Sequence, residues 1–569
     1  MKFNTKKWSV ILGVLLLLIF SINSILSVVV SNLVNTQLQE INEQKKLTIS
    51  VGKINLNVFT GDLNLKNVQV KPDSLFFENF KKGLAEKAST SEFTLSELKI
   101  KGFGIYAILV HKEVYARKII AKGLQLNLYK LDNPLDVESN STEGKIARID
   151  SIFIKEIKQI DFKRVVFEDF DFRIMNVKNA DTLFSYSGEA CEISGVNLDA
   201  HPTIENYFVV DKKDLEINFK EQEIKTNNGD YTIGLNDIKY NYKSSSLVIS
   251  NFKLNPTLDK KKLAATYPYN TEVYEINTKN IQFKGFYLDS ILRKGVVSLD
   301  TVLVEQPIFG IYIDQTKPQD LNKRPKFLNE LLKGVTEPFN IEKILLKNGE
   351  LNYREKHEKF KELMVLDISN LNAEFSNVTS LKDSLDFGSD LKINLKGNIC
   401  KVAPLNLDVV MHYNTYNNSY LFTGSVGAAN FINFNDALYA GTGVKFESGK
   451  LQQMNFTVTG TTAGSTGKLL MRYTNLNAKI FKDHKKKKTI SWIGNSIIVD
   501  SNPTKKGKLR VGAIEFEREP HKGFGNLLWK SVLSGMVNTV NPVGKIVKEE
   551  KKKTQTVHKK EKKKWFSKF

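Results

Sequence analysis

Two cysteines in 569 residues, Cys191 and Cys400, are too few for a disulfide framework or a cysteine-ligated zinc module. Glycine and proline are scarce, 34 and 13 residues, which excludes collagen-like and Gly/Pro low-complexity chains. Seven histidines form neither an HxH nor an HExxH pattern, so no metal-ligand spacing is present. There is no G-x-S-x-G elbow. The nearest approach to a phosphate loop, TTAGSTGKL at 461–469, has Thr462 where the first glycine belongs and Leu469 where Ser or Thr is required. It reads as a connection between strands. The sequence thus offers no catalytic residue, no cofactor site and no metal site.

What the chain does have is positive charge, 83 Lys+Arg against 62 Asp+Glu, a net of +21. Spread over one face, that excess would suggest nucleic-acid binding. It is not spread. Residues 1–7 carry +3, residues 482–488 (KDHKKKK) carry 5 − 1 = +4, and 545–569 carry 11 − 3 = +8. Those segments hold +15 of the +21, leaving +6 for the remainder. No nucleic-acid partner is expected.

The first thirty residues indicate a compartment. After Lys2, Lys6 and Lys7, the stretch from Trp8 to Val30 carries no charge, and the next ionisable side chain is Glu40. About twenty apolar residues cross ~30 Å of hydrocarbon as a helix. Trp8, Leu12, Leu16, Phe20, Leu26 and Val30 would form that anchor. Three lysines before it and none just after place the N-terminus in the cytoplasm and the rest outside it. A cleavable signal peptide is the alternative, disfavoured by the length of the apolar run and the absence of an A-x-A-like site. On this reading residues 1–7 are a cytoplasmic stub, 8–30 the span and 31–46 a linker.

The body is written in period two. From Leu47 apolar residues alternate at Leu47, Ile49 and Val51, then Ile54 and Leu56, then Leu63 and Leu65, then Val68 and Val70. Each change of phase falls at a turn or bulge signal: Gly52-Lys53, Thr60-Gly61-Asp62 and Lys66-Asn67. Such alternation gives a sheet one apolar and one wet face. The texture persists to about residue 515, with short helical patterns only at Phe76, Phe80 and Leu84 and at Phe327–Leu332.

The body also repeats. Residues 47–72 lie over 231–256 at an offset of 184, matching Thr48 with Thr232, Ile54 with Ile238, Asn67 with Asn251 and Pro72 with Pro256. At an offset of 183, Lys101-Gly102-Phe103 returns as Lys284-Gly285-Phe286 and Tyr129 as Tyr312. An offset of 184 then places Ile160 over Ile344, and ISGVNLDA at Ile193 echoes ISNLNAEF at Ile368. The expected organisation is a first β repeat at 47–200, a second at 231–374 and a C-terminal β region at 375–520. An amphipathic helix at 523–540 and a basic, disordered tail at 545–569 complete it.

An N-terminal anchor, a K-I-x-L-x-x-F-x-G-x-L-x-L-x-N-V-x-V run, a KGF triplet and a strand ending in Tyr resemble the AsmA-like family of diderm bacteria. The stretch IEKILLKNGELNYREK at 341–356 is similar to that family's recurrent ladder strand, and 443–460 and 467–481 are similar to its C-terminal block. The resemblance covers roughly residues 1–540. It implies a bacterial inner-membrane protein with a single span, its bulk in the periplasm, and a non-enzymatic role in lipid transport and outer-membrane biogenesis. The implied partners are membrane phospholipids, with other envelope proteins as a further class. The expected fold is mainly β: an N-terminal transmembrane helix, then an elongated, repetitive, twisted antiparallel β-sheet groove with a few short helices.

Period-two strands supply an apolar trough directly. If about 25 strands joined one sheet, it would run on the order of 120 Å. Candidate groove residues are Ile49, Val51, Leu63, Leu65, Leu124, Leu126 and Leu128, with Ile233, Leu235, Leu247 and Ile249 in the second copy. The opposing arrangement packs those faces together as a sandwich core, and a scaffold acting through exposed β-edges is the alternative function. The C-terminal helix either caps the sheet or lies in a membrane interface. In the second case Leu528, Trp529, Val532, Met536, Lys562, Lys563, Lys564, Trp565 and Phe566 would touch the membrane surface.

Overall fold

The structure is a computed structural model that describes residues 47–57, 59–83, 89–104, 107–130, 158–177, 182–200, 208–210, 216–219, 222–226, 228–287, 296–335, 338–358, 362–387, 390–481 and 498–547. The anchor residues Trp8 to Val30 and the tail residues Lys562 to Phe566 lie outside that set. Among the described residues no helix is long and apolar enough to cross a membrane. The fold is mainly β, and the chain divides into two compact units, Met1–Gln319 with Leu328–Lys401, and Asp320–Phe327 with Val402–Phe569.

The first unit is a ladder built twice. β1 (Leu47–Asn57) pairs antiparallel with β2 (Asp62–Pro72), and β2 with β3 (Ser89–Lys101). β3 pairs with β5 (Lys118–Lys122) and β6 (Gln125–Lys130). Those two, with β4 (Glu113–Ala116), run parallel to the long β7 (Gln159–Asn176), which pairs antiparallel with β8 (Thr182–Ala200). The short β9 (Phe208–Val210) and β10 (Glu216–Phe219) continue from β8.

The second copy joins where β10 pairs with β13 (Asp237–Asn241). β11 (Gln222–Lys225) pairs with β12 (Tyr231–Leu235), and both β12 and β13 pair with β14 (Ser246–Pro256). Next comes β15 (Val273–Lys284), followed by β16 (Val297–Glu305) and β17 (Ile308–Asp314). These two run parallel to β18 (Phe339–Lys356), and β19 (Met364–Thr379) and β20 (Leu391–Ile399) finish antiparallel.

The repeat holds rung by rung. Leu47 faces Pro72 and Tyr231 faces Pro256, so 231 − 47 = 184. Its special backbone positions recur too: Gly61 and Ser245, Asn67 and Asn251, and Gly102 and Gly285 all have positive φ. The Lys-Gly-Phe triplet has a backbone role. Phe103 N donates to Gly61 O at 2.6 Å and Phe286 N to Ser245 O at 2.8 Å, the same bond in each copy. Both copies then place a short helix behind the second strand, α1 (Ser74–Lys81) and α2 (Lys260–Thr266). Asp73 and Asp259 cap them, Oδ1 accepting from Leu75 N at 3.0 Å and from Lys261 N at 3.0 Å. The shared tyrosine anchors each helix: Tyr129 meets Phe77 edge-on at 5.1 Å, and Tyr312 shares a buried cluster with Leu263 and Ala264.

Two expectations are corrected here. The sheet is mixed rather than antiparallel, because each copy runs strands parallel to β7 or β18 after a long crossover. The third segment of the repeat also aligns differently. Val114 faces Ile160 and Val297 faces Phe339, so the equivalent of Ile160 is Phe339, an offset of 179, and not Ile344. Likewise Val165 faces Ile193 while Ile344 faces Phe375, so Ile193 corresponds to Phe375 rather than Ile368. Asp169 and Asn348, both at positive φ, occupy equivalent positions in the two copies, 348 − 169 = 179.

The strands of the second unit are β21 (Ala403–Met411), β22 (Tyr420–Val426), β24 (Val444–Gly460), β25 (Gly464–Ile480) and β26 (Val511–Glu517), with the two-residue β23 (Ala429–Asn430) beside β24. Residues 461–463 of TTAGSTGKL form the β24–β25 turn, closed by Thr461 N donating to Gly464 O at 2.9 Å, and the rest opens β25. The remaining helices are α3 (Leu328–Lys333) and α4 (Lys382–Phe387) in the first unit and α5 (Asn435–Thr442) and α6 (Phe524–Val540) in the second. Val458, Leu469, Met471 and Tyr473 are fully buried, as is Leu527 of α6. Helix and sheet touch backbone to backbone. A Cβ on Gly512 would sit 2.2 Å from Gly535 O, so only glycine allows the approach. The expected helix at 523–540 is a sheet cap, and Val532, offered as a membrane contact, is 8% exposed. Leu528 and Met536 are half-buried and Trp529 is exposed.

Candidate functional site

Direct cross-strand partners share a sheet face, so a rung can be followed through the first unit residue by residue. One rung starts Ile54, Leu65, Leu98, Ala121, Phe167, Cys191. It continues Phe219, Ile238, Ile249, Ile281, Val304, Leu346, Ala373, Leu395. Two residues along each strand, on the same face, runs a second rung. It starts Leu56, Leu63, Ile100, Ile119, Val165, Ile193. It continues Ile217, Tyr240, Leu247, Phe283, Val302, Ile344, Phe375, Ile393. No charged or amide side chain interrupts either rung. At ~4.8 Å per strand, fourteen strands give a contour of about 60 Å.

This face is not a filled core. Within the two rungs only Leu56, Ala121, Cys191, Tyr240, Val302 and Ala373 are buried, and every other member is half-buried. The fully buried large side chains of the first unit, such as Phe80, Ile160 and Val273, are not in the rungs. α1 and α2 sit on the other face, because Tyr129 and Tyr312 alternate with Leu128 and Ile311 and so point away from the trough. The intervening rung on that other face is largely polar. It runs through Asn55, Asn64 and Lys99, then Glu192, Asn218 and Lys239, and ends at Glu374 and Asn394. Only Ile120 with Val166, Val248, and Leu303 with Leu345 break it.

The candidate groove residues fall on the apolar face. Leu63, Leu65, Leu247 and Ile249 belong to the two continuous rungs. Ile49 and Leu126 extend the face in the first copy through Val70, Phe93 and Phe172. Ile233 does so in the second copy through Leu254, Ile276, Phe309, Leu351 and Ile368. Val51 and Leu124 pack with Leu65 on Val68, Leu95 and Ala121. Leu128 faces Ile174 one rung further out, and Leu235, the second-copy counterpart of Val51, is buried.

Residues that period-two reading did not single out also matter. Phe286 of the repeated triplet meets Tyr240 edge-on at 5.5 Å, closing one side of the trough. At the opposite side of the second copy stand Tyr274, Ile311, Tyr353 and Leu366, partners along one rung. Burial pushes the Tyr274 and Tyr353 phenols up, so both stay neutral hydroxyls beside an apolar wall. Such amphipathic rings suit a border between hydrocarbon and water.

Cys191 and Cys400 are in no disulfide, and burial pushes the Cys191 thiol up to about 11. At pH 8 its thiolate fraction is then about two orders of magnitude below that of an ordinary thiol near 8.5. In a Cys400→Ser background, iodoacetamide should therefore label the native chain about a hundredfold more slowly than the unfolded chain. Equal rates would mean that this part of the rung is open to water.

Among the described residues no group of His, Cys, Asp or Glu has the arrangement of a metal site. A shallow pocket bordered by Asp169, Asp171 and Glu189 lies outside the rungs. Comparison with family models and with curated proteins finds no match for this chain.

Proposed function

We propose that the chain is an AsmA-type envelope protein that holds and conducts the acyl chains of phospholipids along the first unit's apolar face. The observation that carries this reading is the pair of unbroken, half-exposed apolar rungs across fourteen strands. Moving a methylene from hydrocarbon into water costs ~0.8 kcal/mol, so an acyl chain needs apolar contact at every step of a path through water. Rungs about 7 Å apart along the strands give room for a chain lying across the sheet, with the headgroup in solvent. The uncharged stretch from Trp8 to Val30, preceded by three lysines, supports an inner-membrane anchor with the sheet in the periplasm. The first unit's fourteen-strand contour of about 60 Å is one part of such a path.

The test is photo-cross-linking in the full chain with benzoylphenylalanine at position 65 or 126, followed by lipid mass spectrometry. Phospholipid adducts at both positions are expected, with none from position 239 on the opposite face. Absence of phospholipid adducts from 65 and 126 would discard the conduit reading and favour a scaffold acting through sheet edges.

A further inference from the structure

The two copies of the first unit share a backbone but differ in charge at one border of the trough. Gly102 and Gly285, both at positive φ, are equivalent residues of the repeated triplet. Beside each, on the next strand, stands a charged side chain. A Cβ on Gly102 would meet Arg117 Cβ at 3.1 Å and Nε at 3.4 Å, and a Cβ on Gly285 would run into the Asp300 carboxyl. Each of these charges has a second of its own sign next to it. Ala116 faces Phe162 and Ile119 faces Val165, which sets Arg117 next to Lys163. Leu299 faces Ile341 and Thr301 faces Lys343, which sets Asp300 next to Glu342. The offsets are those of the repeat, 300 − 117 = 183 and 342 − 163 = 179. All four side chains are exposed, and each lies two residues along the chain from a trough residue: Ile119, Val165, Val302 and Ile344.

Neighbouring charges do not cancel the difference. Lys163 Nζ lies 2.9 Å from Asp161 Oδ2, and the second-copy counterpart of Asp161 is the neutral Asn340. Counted with that carboxylate, the first border carries 2 − 1 = +1 and the second −2. Lys343, adjacent to Glu342, is on the other face and pairs with Glu374 at 3.4 Å. Asp62, whose Oδ1 accepts from Gly102 N at 3.2 Å, alternates with Leu63 and so belongs to the other face too. Like charges side by side on neighbouring strands repel each other, so each pair costs the sheet stability and suits a ligand of opposite sign.

From this inversion of charge on one repeated backbone, we infer that the trough sorts phospholipids by headgroup. The first copy takes a net-anionic headgroup, with its phosphate oxygens on Arg117 and Lys163 and its acyl chains on the rungs that begin two residues away. The second copy, bordered by Asp300 and Glu342, disfavours that headgroup and favours one that carries an ammonium beside its phosphate. Arginine supplies a forked donor and lysine a point charge, and both suit phosphate oxygens. Both preferences rest on acyl chains occupying the trough.

The test uses the full chain reconstituted in vesicles of equimolar phosphatidylglycerol and phosphatidylethanolamine, with benzoylphenylalanine at position 98 or 281. These are equivalent members of one rung, on the strands beside Arg117 and Asp300. The phosphatidylglycerol-to-phosphatidylethanolamine ratio of the adducts should be about fivefold higher at 98 than at 281. Arg117→Glu with Lys163→Glu should bring the ratio at 98 down to that at 281. Asp300→Lys with Glu342→Lys should raise the ratio at 281, and circular dichroism checks that the sheet survives each exchange. High salt should narrow the difference. Sodium phosphate should narrow it no more than sodium chloride of equal ionic strength; a larger effect would assign Arg117 and Lys163 to free phosphate and overturn the headgroup assignment. Equal ratios at 98 and 281, or ratios that the exchanges leave unchanged, overturn the sorting while the conduit stands. Phospholipid adducts at neither position would overturn the conduit, and the sorting with it.

Discussion

Replacing Ile344 and Leu346 together by aspartate should lower phospholipid transfer between donor and acceptor vesicles by about two orders of magnitude, with the sheet still folded. These residues are neighbours on β18 and members of the two continuous rungs, so the pair blocks both tracks at one strand. A strand spacing of ~4.8 Å corresponds to roughly four methylenes, each costing ~0.8 kcal/mol when it loses apolar contact. The sum, about 3 kcal/mol, is about a hundredfold in rate. Both side chains are half-buried, so the new carboxylates reach water and do not have to be buried uncompensated. Either single aspartate should cost less, because the parallel rung remains. Glu374→Lys, one rung over on the opposite face, should leave transfer unchanged. A double variant that transfers at the full rate, with an unaltered circular dichroism spectrum, would remove the rungs from the path.

Much of this face could be read from alternation alone, because a strand's side-chain period of two is fixed by backbone geometry. Ile49, Val51, Leu63 and Leu65 could be grouped before any coordinates, even though the phase changes between them. One such change falls where glycine and asparagine let the backbone turn without a change of register: Gly52 stands opposite Asn67, and Asn67 has positive φ. What period two cannot carry is register. Any alternating strand matches any other at every second residue, so Ile193 could be laid over Ile368 although its structural equivalent is Phe375. The positive-φ residues Asp169 and Asn348 mark the true offset between β7 and β18, but an aspartate and an asparagine in a polar run give little signal. The parallel pairing of β5 and β6 with β7 was hidden for a similar reason. Strand direction depends on how the crossover travels, and the local pattern is the same for either direction.

The closure of the second unit was legible only as one of two alternatives, a helix that caps the sheet or one that lies in a membrane interface. β24 and β25 alternate just as β14 and β15 do, yet Val458, Leu469 and Met471 are fully buried while Ile249 and Ile281 are only half-buried. The difference is a helix, and the residues that let it dock are Gly512, Ser531 and Gly535. None of these registers on a scale of apolar character. Sequence patterning therefore identified apolar faces, but not which of them was covered.

Arg510 is the residue on which that cover depends, and Arg510→Met should release it. The side chain is 9% exposed and spans the end of α6: Nε donates to Thr539 O at 2.9 Å, and Nη2 donates to Asn541 O and, at 3.4 Å, to Asn538 O. These are carbonyls at the helix C-terminus, where a cation also meets the favourable end of the helix dipole. Its backbone N–H is held by Asn502 Oδ1 at 2.8 Å, and Asn502 Nδ2 donates in turn to Met471 O at 2.7 Å, which ties the guanidinium's position to the core of β25. Methionine fills much of the space but donates nothing, leaving the Thr539 and Asn538 carbonyls without the guanidinium at roughly 1–3 kcal/mol each, while Asn541 O keeps Gly544 N at 3.0 Å. A loss of about 3 kcal/mol is large beside the stability of a small unit. The expected result is faster proteolysis around residues 524–547 and stronger binding of a hydrophobic dye to the uncovered face of β25 and β26. Phospholipid cross-linking from position 65 should be unchanged. Lysine at this site should rescue little, since one ammonium cannot reach all three carbonyls in the guanidinium's fixed geometry. Unchanged proteolysis in Arg510→Met would mean that the small-residue contact at Gly512 and Gly535 holds the helix without it.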